Sequence, residues 1–428
     1  MDNLPSVHKC SSKISLYIIC VIFTCFTFFQ QTLPINAADH FYIDLGITSQ
    51  NFVYFSSLFF ISYALMQLPG GILLDRYGVQ YVLPIGIVFA TLGVTIFWHS
   101  SHDWTIGLGR MLAGLGCSIA YISGIYVASS LFEKKRLPLL ICFLECSATI
   151  GGLIAARPLQ LAINNLGWAA VGVLNIALCL LLFVWSYFSI KALQETITIS
   201  FTPNAKKCKL PMLHGIMHIL KNKTMLFIFG YSFCTWFVMM SFPGYWFKDY
   251  LQAMHQYSTA TSLTLVEIYW ASFLIACLGV GVLTRYLNMS SNLLLLLSSI
   301  AFLTYLAMVQ PYLFSYSGLA IFSIFGGISA SGIIIAFSLI PSLLAPYYHG
   351  TGVALNNTFV VLGGYAGQTL FGVVVTHIDI SRFLNILQGS HIEPHHYSAL
   401  LIYLIFTLLA FLFAILISKT NIADSSIF

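Results

Sequence analysis

Stretches of about 20 consecutive apolar residues, the length that crosses the hydrocarbon core of a bilayer, recur along nearly the whole chain. They fall near residues 15–38, 50–73, 79–98, 104–130, 137–163 and 167–190, and again near 223–247, 262–284, 292–309, 314–343, 348–376 and 396–418. No water-soluble core could hide them. Hydrophobic residues make up 59% of the 428 and charged residues only 7%, so lipid is the solvent for most of the chain. The pattern predicts an all-α membrane protein with 12 transmembrane helices, six in each half. The first run is longer than a signal-peptide core and lacks a small-residue cleavage site, and it reads as a retained first span.

The only long polar stretch separates the two sets. It divides the chain into an N-terminal six-helix bundle (1–190), a cytoplasmic linker (191–222) and a C-terminal six-helix bundle (223–428). Lys and Arg are spread over short loops rather than gathered on one surface, which argues against a nucleic-acid partner despite the net charge of +5. All of them except Lys248, Arg382, Arg110 and Arg157 lie in the termini, the linker and alternate loops. By the positive-inside rule those regions are cytoplasmic. The expectation is a multi-pass inner-membrane protein, both termini in the cytoplasm, working as a monomer.

Several chemistries lack their residues. Eight of the ten cysteines lie inside apolar runs with no CxxC pair, and they read as small buried hydrophobes. Cys142 and Cys146 share a helix face without a further ligand, so no metal and no cofactor is expected. None of the 12 histidines is placed deep in a span. There is no G-x-x-x-x-G-K-[ST] loop for ATP and no HExxH or GxSxG for an enzyme. A sensor or a lipid-modifying enzyme is a poor fit to this pattern.

The halves look like distant copies. Gly151-Gly152 and Gly363-Gly364 occupy matching places in the fifth and eleventh spans, as do Gly114 and Gly326 in the fourth and tenth. A parallel repeat follows, although paired glycines also serve helix packing alone.

At the junction of the second and third spans the chain reads GGILLDRYG, placing Gly71, Asp75, Arg76 and Gly78 in the pattern G-x-x-x-D-R-x-G. Gly71 allows close helix approach, Asp75 can pair with a helix end or a basic partner, and Gly78 permits a sharp turn. The fourth span opens GRMLAGLGCS, with Arg110, Gly114 and Gly116 in R-x-x-x-G-x-G. On these motifs the chain resembles the major facilitator superfamily of transporters, and the resemblance extends over nearly its whole length. It departs after Gly78, where Val79, Gln80 and Tyr81 replace the usual basic residues, and it lacks the glycine-proline motif of drug/proton antiporters. The resemblance implies two six-helix bundles related by an axis along the membrane normal, with these motif residues forming a conformational latch.

Ionisable side chains within spans are costly and mark candidate sites. Arg110 and Arg157 lie about six residues inside the outer ends of the fourth and fifth predicted spans, roughly 9 Å deep at 1.5 Å per residue. At one level they could grip a carboxylate or phosphate together; each could instead bond helix-end carbonyls or snorkel. Glu145, about eight residues into the fifth span from the cytoplasmic side, is a candidate proton carrier; the alternatives are a fixed ion pair with an arginine of another helix or a protonated side chain bonded to a backbone carbonyl. Glu267 reads as interfacial. The resemblance implies that the first, fourth, seventh and tenth spans line a central cavity, which adds Gln30, Gln31, Asn36, Tyr121, Trp236, Ser329 and Ser331 as candidate contacts. Asn356, Asn357 and Gln368 read as contacts between helices.

The expected function is secondary active transport of a small polar, carboxylate-bearing solute such as an amino acid, small peptide or organic acid. Alternating access and proton symport are the expected mechanism, as in bacterial metabolite importers that the chain resembles. Export of a metabolite or siderophore by proton antiport is the alternative the same fold supports.

Overall fold

The computed structural model describes residues 4–44, 46–196, 212–287, 290–308, 315–377 and 394–420. Among these the secondary structure is helical throughout. In chain order the helices are α1 (Leu4–Asp39), α2 (Ser49–Tyr77), α3 (Val79–Trp98), α4 (Asp103–Leu131), α5 (Leu137–Ile154), α6 (Arg157–Leu166), α7 (Trp168–Thr196) and α8 (Met212–Lys221). They continue as α9 (Lys223–Ser241), α10 (Phe247–His255), α11 (Thr259–Leu287), α12 (Ser290–Met308), α13 (Tyr316–Ala330), α14 (Gly332–Leu343), α15 (His349–His377) and α16 (Pro394–Lys419).

The architecture is a 12-span helical membrane fold. Eleven spans among the described residues are long and apolar enough to cross a bilayer. The remaining one, the eleventh in chain order, is α15, which is 29 residues long, but His349, Thr351, Asn356, Asn357 and Thr358 dilute its apolar character. Helix starts are capped where loops are short: the Thr48 side chain accepts from the Asn51 N–H, and Asn222 accepts from Thr224 and Met225.

Two predicted spans are interrupted. The 137–163 run breaks at Ala155-Ala156 into α5 and the separate ten-residue α6. Pro158 explains the break, because its ring cannot continue α5 but fits the first turn of a new helix. The tenth span breaks at Ser331, between α13 and α14. The seventh also ends early, with α9 passing through a π-type turn at Phe242–Trp246 into the short α10. Lys206, Lys207, Lys209 and Arg382 lie outside the described residues.

The chain divides into two compact units, Met1–Met217 with Leu344–Leu355, and His218–Leu343 with Asn356–Phe428. The same packing scheme appears in each. In the first unit α4 packs on α2 and α3, α7 on α1 and α3, and α5 on α1; in the second α13 packs on α11 and α12, and α16 on α9 and α12. Glycines make the corresponding close approaches. A Cβ on Gly151 would lie 2.0 Å from the Cys25 carbonyl oxygen of α1, and one on Gly363 would lie 2.3 Å from that of Phe233 of α9. Gly114 approaches the Phe59 carbonyl of α2 in the same way, but its counterpart in this role is Gly327, against the Tyr269 carbonyl, while neighbouring Gly326 meets the Tyr269 ring. The most enclosed spans are the fourth, the tenth and the seventh; the first is less enclosed than the third.

Candidate functional site

Arg110 enters the first unit from α4 and is almost fully buried, at 1% exposure. Its Nη1 donates to the Gln30 carbonyl of α1 at 2.7 Å and its Nε to the Ser56 carbonyl of α2 at 3.3 Å. The guanidinium carbon sits 4.3 Å from the centre of the Phe59 ring and 5.6 Å from that of Phe97. Ring faces and carbonyl dipoles therefore take the place of a carboxylate. Nη2 is buried and makes no hydrogen bond among the described residues. Such an arrangement binds three helices together while leaving one donor and a full positive charge uncompensated.

Arg157 does not join it. The residue opens α6 and is exposed, because the Pro158 break ends the fifth span before it. The shared level expected from a continuous span is thereby corrected. Gln30 is also committed: its amide donates to the Asn175 side chain of α7 at 3.3 Å, and Asn175 in turn donates to the Val171 carbonyl. It links helices instead of presenting a free amide. Gln31, its neighbour, is partly exposed.

Glu145 is buried on α5, at 4% exposure. The Tyr121 hydroxyl of α4 donates to its Oε1, and no Lys or Arg lies within ion-pair distance among the described residues. Of the readings for this residue, the fixed ion pair is absent among the described residues. Arg110 and Tyr121 are eleven residues apart on one helix, roughly 16 Å at 1.5 Å per residue. Thus α4 carries an uncompensated cation near one end and the partner of a buried acid three turns further on. Beside Glu145, the Cys142 and Cys146 sulfurs are 3.9 Å apart. Among the described residues no three His, Cys, Asp or Glu side chains converge as a metal site would need.

The aspartate of the second-to-third-span motif accepts from the start of α15. Asp75 Oδ1 accepts from the Gly350 N–H at 2.7 Å, and Oδ2 from the Thr351 N–H at 2.7 Å and the Thr351 hydroxyl at 2.6 Å. Unpaired N–H groups and the positive end of the helix dipole make a helix start a natural carboxylate site. Sequence reasoning left the choice of helix end or basic partner open and did not single out Gly350 or Thr351. Their signal is a Gly-Thr pair just after the Pro346 turn. Close approach requires the glycines: a Cβ on Gly71 would fall 2.3 Å from the Ala354 Cβ and 2.4 Å from the Gly350 carbonyl oxygen. Gly78 ends α2 at φ 78°, a conformation that disfavours side chains, and Arg76 beside it is exposed over the Tyr77 ring. Gly116 meets α3, where a Cβ would lie 2.3 Å from the Ala90 nitrogen.

In the second unit Trp236 is buried against Gly364. Gln368 donates to the Met240 carbonyl at 3.1 Å. Ser329 and Ser331 spend their hydroxyl protons on Gly326 and Ile328 carbonyls. Glu267 is exposed on α11.

A sequence profile of the Major Facilitator Superfamily matches residues 18–368. The chain belongs to this superfamily. Among superfamily relatives, the "probable L-galactonate transporter" of Escherichia coli (strain K12) is 24% identical over 214 residues, 47% of this chain and 47% of that protein, so the chain spans about half the length of that relative. An uncharacterized transporter of Buchnera aphidicola subsp. Baizongia pistaciae is 22% identical over 328 residues, covering 75% of this chain and 79% of its own length. The fold is similar to that of the E. coli fucose:proton symporter (TM-score 0.67, 16% identity, 94% of this chain and 100% of that one). It is likewise similar to a bacterial homologue of the iron transporter ferroportin in its outward-facing state (TM-score 0.74, 14% identity, 96% and 100%). The protein is a multi-pass superfamily transporter, and family and fold point to transport rather than catalysis.

Proposed function

We propose that this transporter moves a small carboxylate-bearing solute across a bacterial inner membrane by alternating access, as a monomer, with a proton carried on Glu145. The observation that carries the reading is the Glu145–Tyr121 pair: a carboxyl buried in a span with one hydroxyl donor and, among the described residues, no cation. Burying a bare carboxylate is costly, and taking up a proton removes that cost. The phenol serves both states, since it can donate to the carboxylate and accept from the acid.

The anionic substrate class rests on Arg110. Its uncompensated charge raises the local potential for an anion, and Nη2 is a donor with no partner of its own. The name of the E. coli relative, which denotes a sugar-acid carboxylate, agrees with this class. Cytoplasmic termini rest on the loop distribution of Lys and Arg, and import on the resemblance to bacterial metabolite importers.

The test is uptake into proteoliposomes of a labelled panel of amino acids, small peptides, organic acids and sugar acids under an imposed proton gradient. A carboxylate-bearing solute should accumulate in the wild type. Glu145→Gln should lose accumulation yet retain exchange of that solute between the two sides. Accumulation by Glu145→Gln equal to wild type would remove the coupling role, and movement of neutral solutes alone would remove the substrate class. Uptake only into acid-loaded vesicles run in reverse would favour export by antiport.

A further inference from the structure

Inside the second unit, α9, α11, α12, α13 and α16 surround a cavity with about 20 Å³ open to the centre of a water molecule. Its polar wall consists of Tyr231, Tyr269, Ser298, Tyr305, Ser329 and Thr407, all buried, with the half-buried Thr235, and the remaining lining includes small residues such as Ala301 and Ala330. None of the lining residues is charged.

The hydroxyls are arranged as a mismatched set. Ser298 donates to the Leu294 carbonyl at 2.9 Å, Ser329 to Gly326 at 2.7 Å and Thr407 to Leu404 at 3.0 Å. Their protons are spent on their own helices, which leaves acceptor lone pairs. The Tyr305 and Tyr269 hydroxyls lie against each other within hydrogen-bonding reach, and the Tyr305 oxygen makes no other hydrogen bond among the described residues. The tyrosine pair thus faces several acceptors across a gap.

Three occupants can be weighed. A cation would meet no counter-charge, which is prohibitive at membrane depth. Dry cavities are lined by apolar groups alone, whereas hydroxyl-bearing side chains interrupt the largely apolar wall of this one. A water needs at least about 10–15 Å³ of such space and 2–4 polar partners, and both conditions hold for a single molecule.

The place matters as much as the chemistry. Ser329 and Ala330 form the last turn of α13 before the span breaks at Ser331, and Gly332 just beyond it abuts the Tyr231 hydroxyl. Breaks in membrane helices free backbone groups that serine side chains and ordered waters satisfy. Here the Ser331 hydroxyl already serves the Ile328 carbonyl at 2.6 Å. We propose that the cavity is a binding site for one structural water, which accepts from Tyr305, donates to the Ser298, Ser329 or Thr407 oxygens, and joins α12, α13 and α16 beside the break.

Synchrotron hydroxyl-radical labelling of the protein in lipid nanodiscs tests this, because radicals formed from a bound water oxidise the side chains touching it. With rates normalised to the same residues in denatured protein, Tyr305 and Tyr269 should be oxidised despite their burial. Phe229 and Phe237, equally buried but off the cavity, should stay at background. Ala301→Leu fills the space and should bring Tyr305 down to that background. Oxidation of wild-type Tyr305 no faster than that of Phe237 overturns the proposal, and this comparison decides even if Ala301→Leu does not fold. Undiminished labelling of Tyr305 in a folded Ala301→Leu protein overturns it as well.

Discussion

Asp75→Asn is the sharpest perturbation of the clamp on α15, because it keeps the side chain's size and removes only its charge and one acceptor. In the wild type two carboxylate oxygens receive three donors, Gly350 N–H, Thr351 N–H and the Thr351 hydroxyl, at 2.6–2.7 Å. An amide offers one oxygen. Whichever way it flips, one backbone N–H then faces an NH₂ group, and the surviving bonds fall from charge-assisted to neutral. A bond to a charged group contributes about 1.5–3 kcal/mol against about 0.5–1.5 for a neutral one, and the charge also loses about 0.3–1 kcal/mol from the helix dipole.

The expected cost is about 2–4 kcal/mol, or roughly 30- to 700-fold in the equilibrium for opening the clamp at 1.4 kcal/mol per decade. Hydrogen exchange of the Leu344–Leu355 region in nanodiscs reads that equilibrium directly. The Gly350 and Thr351 amides should exchange faster in Asp75→Asn, while amides in α3 and α4 keep their protection. Wild-type exchange at those two amides in a folded variant would refute the reasoning. Thr351→Val, which removes only the hydroxyl bond, should give a smaller acceleration.

Arg110→Lys keeps the charge but cannot bond two carbonyls while lying across two rings, and it should lower stability by about 2–4 kcal/mol, read as a fall in Tm in detergent. Gly151→Ala and Gly363→Ala place a Cβ on a neighbouring helix's carbonyl oxygen; each should cost about 1–3 kcal/mol by overpacking, and equal tolerance of alanine at both sites would deny the close approach. His255, on α10 outside the spans, has its imidazole held below the ordinary 6.5 by burial between the Tyr250 and Tyr257 rings. Its contribution to stability is present above pH 6.5 and lost as pH falls below that value toward the folded-state pKa, so His255→Gln should flatten the acid side of a Tm-against-pH curve.

The span pattern and the duplicated halves could be read from the sequence because lipid imposes them on composition: length, apolarity and paired glycines are properties of single segments. What escaped were features set by partners or by one residue. The 137–163 run stays apolar on average through Leu161 and Ile163, so only Pro158 betrays the break that puts Arg157 on the surface. Arg110 finds backbone carbonyls and ring faces, neither of which leaves a mark on side-chain motifs. Gln30 is indistinguishable in sequence from a ligand, since only the fold shows Asn175 opposite it. Gly326 and Gly327 are adjacent, and helix rotation alone decides which meets a backbone and which meets a ring.

The two charged features of α4 set what a coupled cycle can do. Arg110 ties this helix to carbonyls of α1 and α2 and rests between two aromatic rings, so the end near it is the less mobile reference. Tyr121, about three turns away, is bonded to the side chain whose charge state changes in the proposed cycle. With Glu145 ionised, the phenol must donate to it; with Glu145 protonated, the carboxyl can satisfy itself elsewhere, and the α4–α5 link loses its charge-assisted strength. A proton at Glu145 is therefore read first as a change in how tightly α5 is held to α4. That local change is the differential interaction that any coupling of protonation to conformation requires.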